Sequence, residues 1–97
     1  MGWGLKQDIE LVLAKIFTDR GVRIPSAEGH RGVKEALRGK GVRRNDIAQA
    51  RKELRIQSDK IDGEYWWIWE NEQDPGSMWE RLSGEFWRSL DEGEKRQ

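Results

Sequence analysis

Asn45, Gln49 and Lys52 stand four and three residues apart, the spacing that stacks side chains on one face of an α-helix. Asn and Gln each pair a donor with an acceptor in a way that matches the N6/N7 edge of adenine. Lys suits guanine or a phosphate. Ala48 between them is small enough to let that face approach base edges or a thymine methyl. At 100° per residue, Ile47, Ala50 and Leu54 fall on the opposite side, where a core would take them. Arg44, Arg51 and Arg55 run along one border. Arg43, Arg44 and Arg55, at the helix ends, suit phosphates, which orient a helix without reading sequence. Lys60, a little further on, would add a phosphate or minor-groove contact. These residue types imply a helix that enters the major groove of duplex DNA. A polar helix face is also what any solvated helix presents, so the surrounding elements carry the distinction.

Charge is distributed in keeping with that reading. The 97 residues hold 18 Lys/Arg and 18 Asp/Glu, a neutral sum that hides a division. Residues 20–60 carry twelve Lys/Arg against five Asp/Glu, giving +7, and residues 61–97 carry four against ten, giving −6. A local positive surface attracts a polyanion whatever the net charge. The acidic C-terminal third would either mask the basic face or leave it open, and composition does not choose between them. At 37% charged and 35% hydrophobic, with a mean hydropathy of −0.96, the chain depends on six tryptophans for most of its core. Absence of cysteine excludes disulfides and thiolate metal sites and suits a reducing, cytoplasmic compartment. No signal-type or membrane-spanning apolar run is present.

Other chemistries find little material. His30 is the only histidine, flanked by Gly29 and Arg31, and reads as an exposed loop residue. A histidine metal cluster is therefore impossible. Gly39-Lys40-Gly41 lacks the phosphate-cradling pattern of a P-loop, and Glu64 and Glu70 sit on a short hairpin with no pocket to perturb them. The expectation is a non-enzymatic chain without cofactor or metal.

The elements that would position the polar face follow from periodicity. Leu5, Ile9, Val12, Leu13, Ile16 and Phe17 mark a first helix over Leu5–Arg20. Ile24 before Pro25 is biased to extended backbone. Gly29 and Gly32 weaken a helix start at Ser26, so the second helix is expected mainly over 32–38, with Val33, Ala36 and Leu37 inward. A glycine turn then leads to a third helix over about 44–54, which makes a helix-turn-helix. Arg55 to Ser58 are short and extended, Asp59 to Gly63 form a loop ending in the Asp62-Gly63 turn, and Glu64 to Glu70 form a strand. On the second strand Tyr65, Trp67 and Trp69 share one face, and Trp66 and Ile68 the other. One of these faces packs on the helices. The other needs a cover, either a last helix opened by a Ser77–Glu80 capping box or another subunit. That helix carries Trp79, Leu82, Phe86 and Leu90, and the tail from Asp91 is expected to fray.

Val33 to Trp69, VKEALRGKGVRRNDIAQARKELRIQSDKIDGEYWWIW, resembles the winged helix-turn-helix module at the C-terminus of phage and plasmid replicative helicases and primase-associated ATPases. The likeness lies in a helix ending at a glycine turn, in Ala50-Arg51-Lys52-Glu53-Leu54-Arg55-Ile56, and in the aromatic strand Tyr65-Trp66-Trp67-Ile68-Trp69. It covers 37 of the 97 residues. Two positions depart from the pattern: Arg43 replaces the usual Ser/Thr helix cap, and Arg55 replaces the glycine after the leucine. The resemblance implies a winged helix standing alone, without an upstream ATPase, as a small phage or mobile-element transcription regulator or replication accessory.

The sequence therefore predicts an α+β winged helix-turn-helix of three helices and a small antiparallel hairpin wing over residues 1–70. A linker (71–76) and a C-terminal helix with tail (77–97) follow. The expected partner is double-stranded DNA, through Arg43, Arg44, Asn45, Gln49, Lys52, Arg55 and Lys60. The alternative is a protein-interaction module, or homodimer, formed by the Trp-rich strand and Trp79, Leu82 and Phe86.

Overall fold

The computed structural model describes residues 3–95. Among the described residues four helices combine with a three-stranded antiparallel sheet, an α+β arrangement, in the order α1 (Leu5–Arg20), β1 (Arg23–Pro25), α2 (Ser26–Ala36), α3 (Arg44–Glu53), β2 (Ile56–Ile61), β3 (Glu64–Trp69) and α4 (Pro75–Lys95). The strand order is β1-β3-β2. Among the described residues no helix is long and apolar enough to cross a membrane.

α1 is the hub. Ile9, Leu13, Ala14 and Phe17 are buried on it, and α2, α3 and α4 all pack against it. Its wide apolar surface is what the run from Leu5 to Phe17 predicts. α2 differs from expectation, because it begins at Ser26 and ends at Ala36. Ala36 is exposed, while Val33 and Leu37 are buried as expected. Packing explains why two glycines do not break this helix. A methyl built on Gly29 would overlap Cε3 and Cζ3 of Trp67, so the helix can lie on that ring only where there is no side chain. The few tenths to 1 kcal/mol that glycine costs a helix is offset by the close approach it permits.

The sheet has one covered face and one open one. Register pairs Ile24 with Trp67 and Ile56 with Trp69, and all four are buried against the helices. Asp62 and Gly63, at φ 52° and 80°, make the tight turn that joins two strands of right-handed twist. Tyr65 shares the covered face by alternation, but it lies near the hairpin tip and is 55% exposed. The opposite face carries Trp66 and Ile68, both half-buried. The expected cover of this face by the last helix is not what forms. α4 packs on α1 instead, and Trp66 is flanked by the Arg23 guanidinium, 5.6 Å from its ring.

α4 starts two residues earlier than the Ser77–Glu80 pattern suggests. Pro75 sits at the first helical position, where its fixed φ and missing N–H are tolerated. The Asp74 carboxylate accepts hydrogen bonds from the Ser77 N–H at 3.1 Å and the Ser77 hydroxyl at 2.7 Å. Those bonds, chiefly the one from the hydroxyl, hold the Asp74 pKa below its ordinary value. Asp74 is thus the cap, because its two oxygens reach two donors of the first turn at once. The helix runs antiparallel to α1, with Lys15 5.1 Å from the Trp79 ring and Trp3 edge-on to Phe86 at 5.3 Å. Helix continues past Leu90, where fraying was expected, to Lys95; residues 96 and 97 lie outside the described residues.

Leu82 is 3% exposed and belongs to the same core as α1 and the sheet, and Trp79 packs against that core. Phe86 is half-buried against Trp3. These three residues, expected to form a partner surface, are largely taken up inside the chain because α4 lies on α1 rather than on the sheet.

Glycine substitutions separate close approach from mere helix propensity. Gly29→Ala is expected to lose about 1–3 kcal/mol of stability through overpacking against Trp67. Gly84→Ala, with nothing within 4 Å of the added carbon, is expected to gain about 0.5–1 kcal/mol. Urea denaturation midpoints check both; equal and positive changes would contradict the role given to Gly29.

Candidate nucleic-acid interface

α3 starts without a side-chain cap from Arg43, the residue that departs from the usual Ser/Thr. Asp46 compensates, because its carboxylate reaches back to accept the Arg43 N–H at 3.0 Å. An acid in the first turn also opposes the positive end of the helix dipole. Ile47 and Ala50 on the helix and Leu54 at its end are buried, and this turns the other face outward. Arg43, Arg44, Asn45, Gln49 and Lys52 are all exposed, with Ala48 half-buried between them. The structure brings these five onto one open surface.

Two further residues of the expected set lie on the segment that follows α3. Arg55 closes α3 in the left-handed region at φ 57°, the position where the resembled pattern has glycine. A non-glycine side chain there costs about 1–2 kcal/mol. Lys60 lies on β2, opposite Tyr65, with its ammonium 5.7 Å from the Tyr65 ring. By alternation it shares the sheet face that α3 packs on, about 13 Å along the strand from Ile56. It projects beyond the helices near the hairpin tip.

None of Arg43, Arg44, Lys52, Arg55 and Lys60 takes part in an ion pair among the described residues. Of the other cations, Lys6 pairs with Glu53 at 3.2 Å, Lys15 with Asp19 at 3.3 Å, Arg20 with Glu28 at 3.0 Å and Lys40 with Asp8 at 3.0 Å, while Arg23, Lys34, Arg38, Arg81 and Arg88 are in no ion pair among the described residues either. The acids of α3 are engaged as well, Asp46 as a cap and Glu53 with Lys6. α4 lies along α1 without substantial contact with α3 or the hairpin, so α4 leaves the α3 face open.

Four residues that position this surface were not legible as such. Arg51 was placed on the helix border, yet its guanidinium lies 5.2 Å from the Trp67 ring and donates to the Ile56 carbonyl at 3.3 Å. It ties the last turn of α3 to the start of β2. His30 is not a loop residue. It sits in α2, edge-on to Trp67 with centroids 4.7 Å apart, and its Nδ1 is buried without a protein partner. Asn71, expected in a linker, donates to the Leu54 carbonyl at 3.0 Å and accepts the Gln73 N–H at 3.0 Å, closing the end of α3. Glu70 donates its backbone N–H to the Arg55 carbonyl at 3.1 Å. No local pattern signals these roles, because each depends on the three-dimensional position of Trp67 or of the α3 terminus.

Neither a family model, a curated protein nor a solved structure matches this chain.

His30 gives the fold a pH dependence of known sign. Burial, then the charges of Arg44, Arg51 and Lys34, hold its pKa below the ordinary 6.5. Between that lowered value and 6.5 the unfolded chain binds more protons than the folded one. Stability must therefore fall as pH drops through 6.5 and level off below the folded pKa. Urea midpoints of the wild type minus those of His30→Gln isolate this contribution, and the difference is expected to decline between about pH 7.5 and 5. A flat difference would show that His30 is not held neutral.

Proposed function

We propose that the chain is a winged helix-turn-helix that binds duplex DNA, with α3 as the helix in the major groove and the β2–β3 hairpin as the wing. The observation that carries the reading is the α3 face itself: exposed Asn45, Gln49 and Lys52 bordered by arginines without ion-pair partners among the described residues. Unpaired cations gathered on one face repel one another, and a polyanion relieves that repulsion. Asn45 and Gln49 take base edges, adenine being the match for their amides. Arg43, Arg44, Arg55 and Lys60 take phosphates. Lys52 serves either a guanine or a phosphate. The glycine turn between α2 and α3, and a tight hairpin directly after α3, support the winged-helix assignment over an isolated amphipathic helix. Such a module suits a small regulator or replication accessory of a phage or mobile element acting in the cytoplasm, without catalysis or cofactor.

DNA affinity is expected to fall steeply with salt, log K losing about 0.9 per log unit of salt for each phosphate neutralised. Asn45→Ala and Gln49→Ala relax sequence preference by about 1–3 kcal/mol per base pair, whereas Arg43→Ala weakens all sequences alike. Fluorescence anisotropy with specific and random duplexes measures both. No binding at low salt, or a salt-independent affinity, would sink the reading.

A second reading, contact between copies of this chain, is favoured by one observation. Trp87 is 63% and Leu90 45% exposed on α4, beyond the stretch of the helix that packs on α1. If copies associate there, Trp87→Ser shifts the sedimenting species toward monomer without loss of helicity. An unchanged, monomeric wild type excludes it.

A further inference from the structure

We infer that the cleft between the end of α3 and β2 seats one backbone phosphodiester of duplex DNA, gripped by Arg55 and Lys52. The inference rests on the proposed DNA reading and deepens it. The cleft has a volume of about 480 Å³, and its walls include Arg51, Lys52 and Arg55 with Gln57 and Ser58. Three cations outnumber the single acid, Glu70, among the lining residues, and an excess of positive charge is what a phosphate oxyanion requires. Arg51 is turned inward onto Trp67 and the Ile56 carbonyl. It stays protonated and supplies charge from behind. Lys52 and Arg55 are exposed and have no ion-pair partner among the described residues.

Arg55 supplies the independent observation. Its backbone is left-handed, at φ 57°, where glycine is relaxed and arginine is strained. The fold makes use of its backbone: its N–H donates to the Lys52 carbonyl and its carbonyl accepts from Glu70, both at 3.1 Å. Among the described residues its side chain makes no hydrogen bond and no ion pair. A strained arginine whose side chain has no work inside the chain points to a partner outside it. Glu70 is held at the same cleft by its bond to Arg55. Its carboxylate opposes an entering phosphate and sets a ceiling on the grip.

The full-length chain tests this with three variants, each measured for denaturation midpoint and for binding to random duplex DNA across a salt series. Arg55→Gly is expected to raise the denaturation midpoint, because relief of the left-handed Cβ outweighs the freedom glycine adds to the unfolded chain. The same change should weaken binding about fivefold at roughly 0.15 M salt and lower the salt slope by about one, the signature of one lost phosphate contact. Arg55→Lys should restore the slope without the added stability, since it keeps the charge and the strain. Glu70→Gln should tighten binding. An Arg55→Gly chain that is more stable and binds with unchanged affinity and slope overturns the seat, and so does one that is less stable, which would give the side chain a structural role. If the wild type still binds duplex with a preference that depends on Asn45 and Gln49, only the seat falls. If the wild type does not bind duplex at low salt, the DNA reading falls and the seat with it.

Discussion

The Trp67 ring meets α2 where Gly29 has no side chain, has His30 edge-on at 4.7 Å, and lies under the Arg51 guanidinium at 5.2 Å. Through those three neighbours one buried side chain, 1% exposed, fixes α2, α3 and the β2–β3 hairpin relative to one another. Arg51 extends the link by donating to the Ile56 carbonyl, so the outward face of α3 and the first hairpin strand are registered through the same ring. A large indole suits this task because its two faces and its edge offer several distinct contacts. It also concentrates risk, since a single crowded position such as Gly29 can disturb every element it joins.

Around that contact the fold separates its charges. Acids on α3 are occupied locally by Arg43 and Lys6, and α4, which carries part of the acidic third, is drawn to α1 by Met78 and Leu82. The α3 face is left with cations that repel one another; burial first, then Arg44, Arg51 and Lys34, lowers the pKa of His30 behind it. Surface ion pairs are worth little, so leaving these arginines unpaired costs the fold little.

Much of this was readable from the sequence. The apolar periodicity of α1, the inward set Ile47, Ala50 and Leu54, and the Asp62-Gly63 turn all gave the right elements, because in each the local pattern and the tertiary contact agree. The exposed set on α3 follows from the same geometry. Reading failed where tertiary packing overrode local preference. Gly29 weakened α2 by propensity yet is what lets the helix approach Trp67, and that same approach turned His30 from a loop residue into a packed one. Asp74 outcompeted Ser77 as a cap because it precedes a proline and reaches two donors. Of the two covers open to the strand's other face, the last helix is taken by α1 instead. The left-handed Arg55 was visible only as a departure from a glycine in the resembled pattern, without its structural meaning.

The central claim is that the face of α3 and the adjoining hairpin form one DNA-binding surface. Titrating ¹⁵N-labelled protein with a short duplex and mapping the amide shifts tests it residue by residue. The account predicts that the largest changes fall between Arg43 and Ser58 and at Lys60, with α4 near Trp87 unaffected. Shifts centred on α4 or on the Trp66 face of the sheet, or none at low salt, would contradict it.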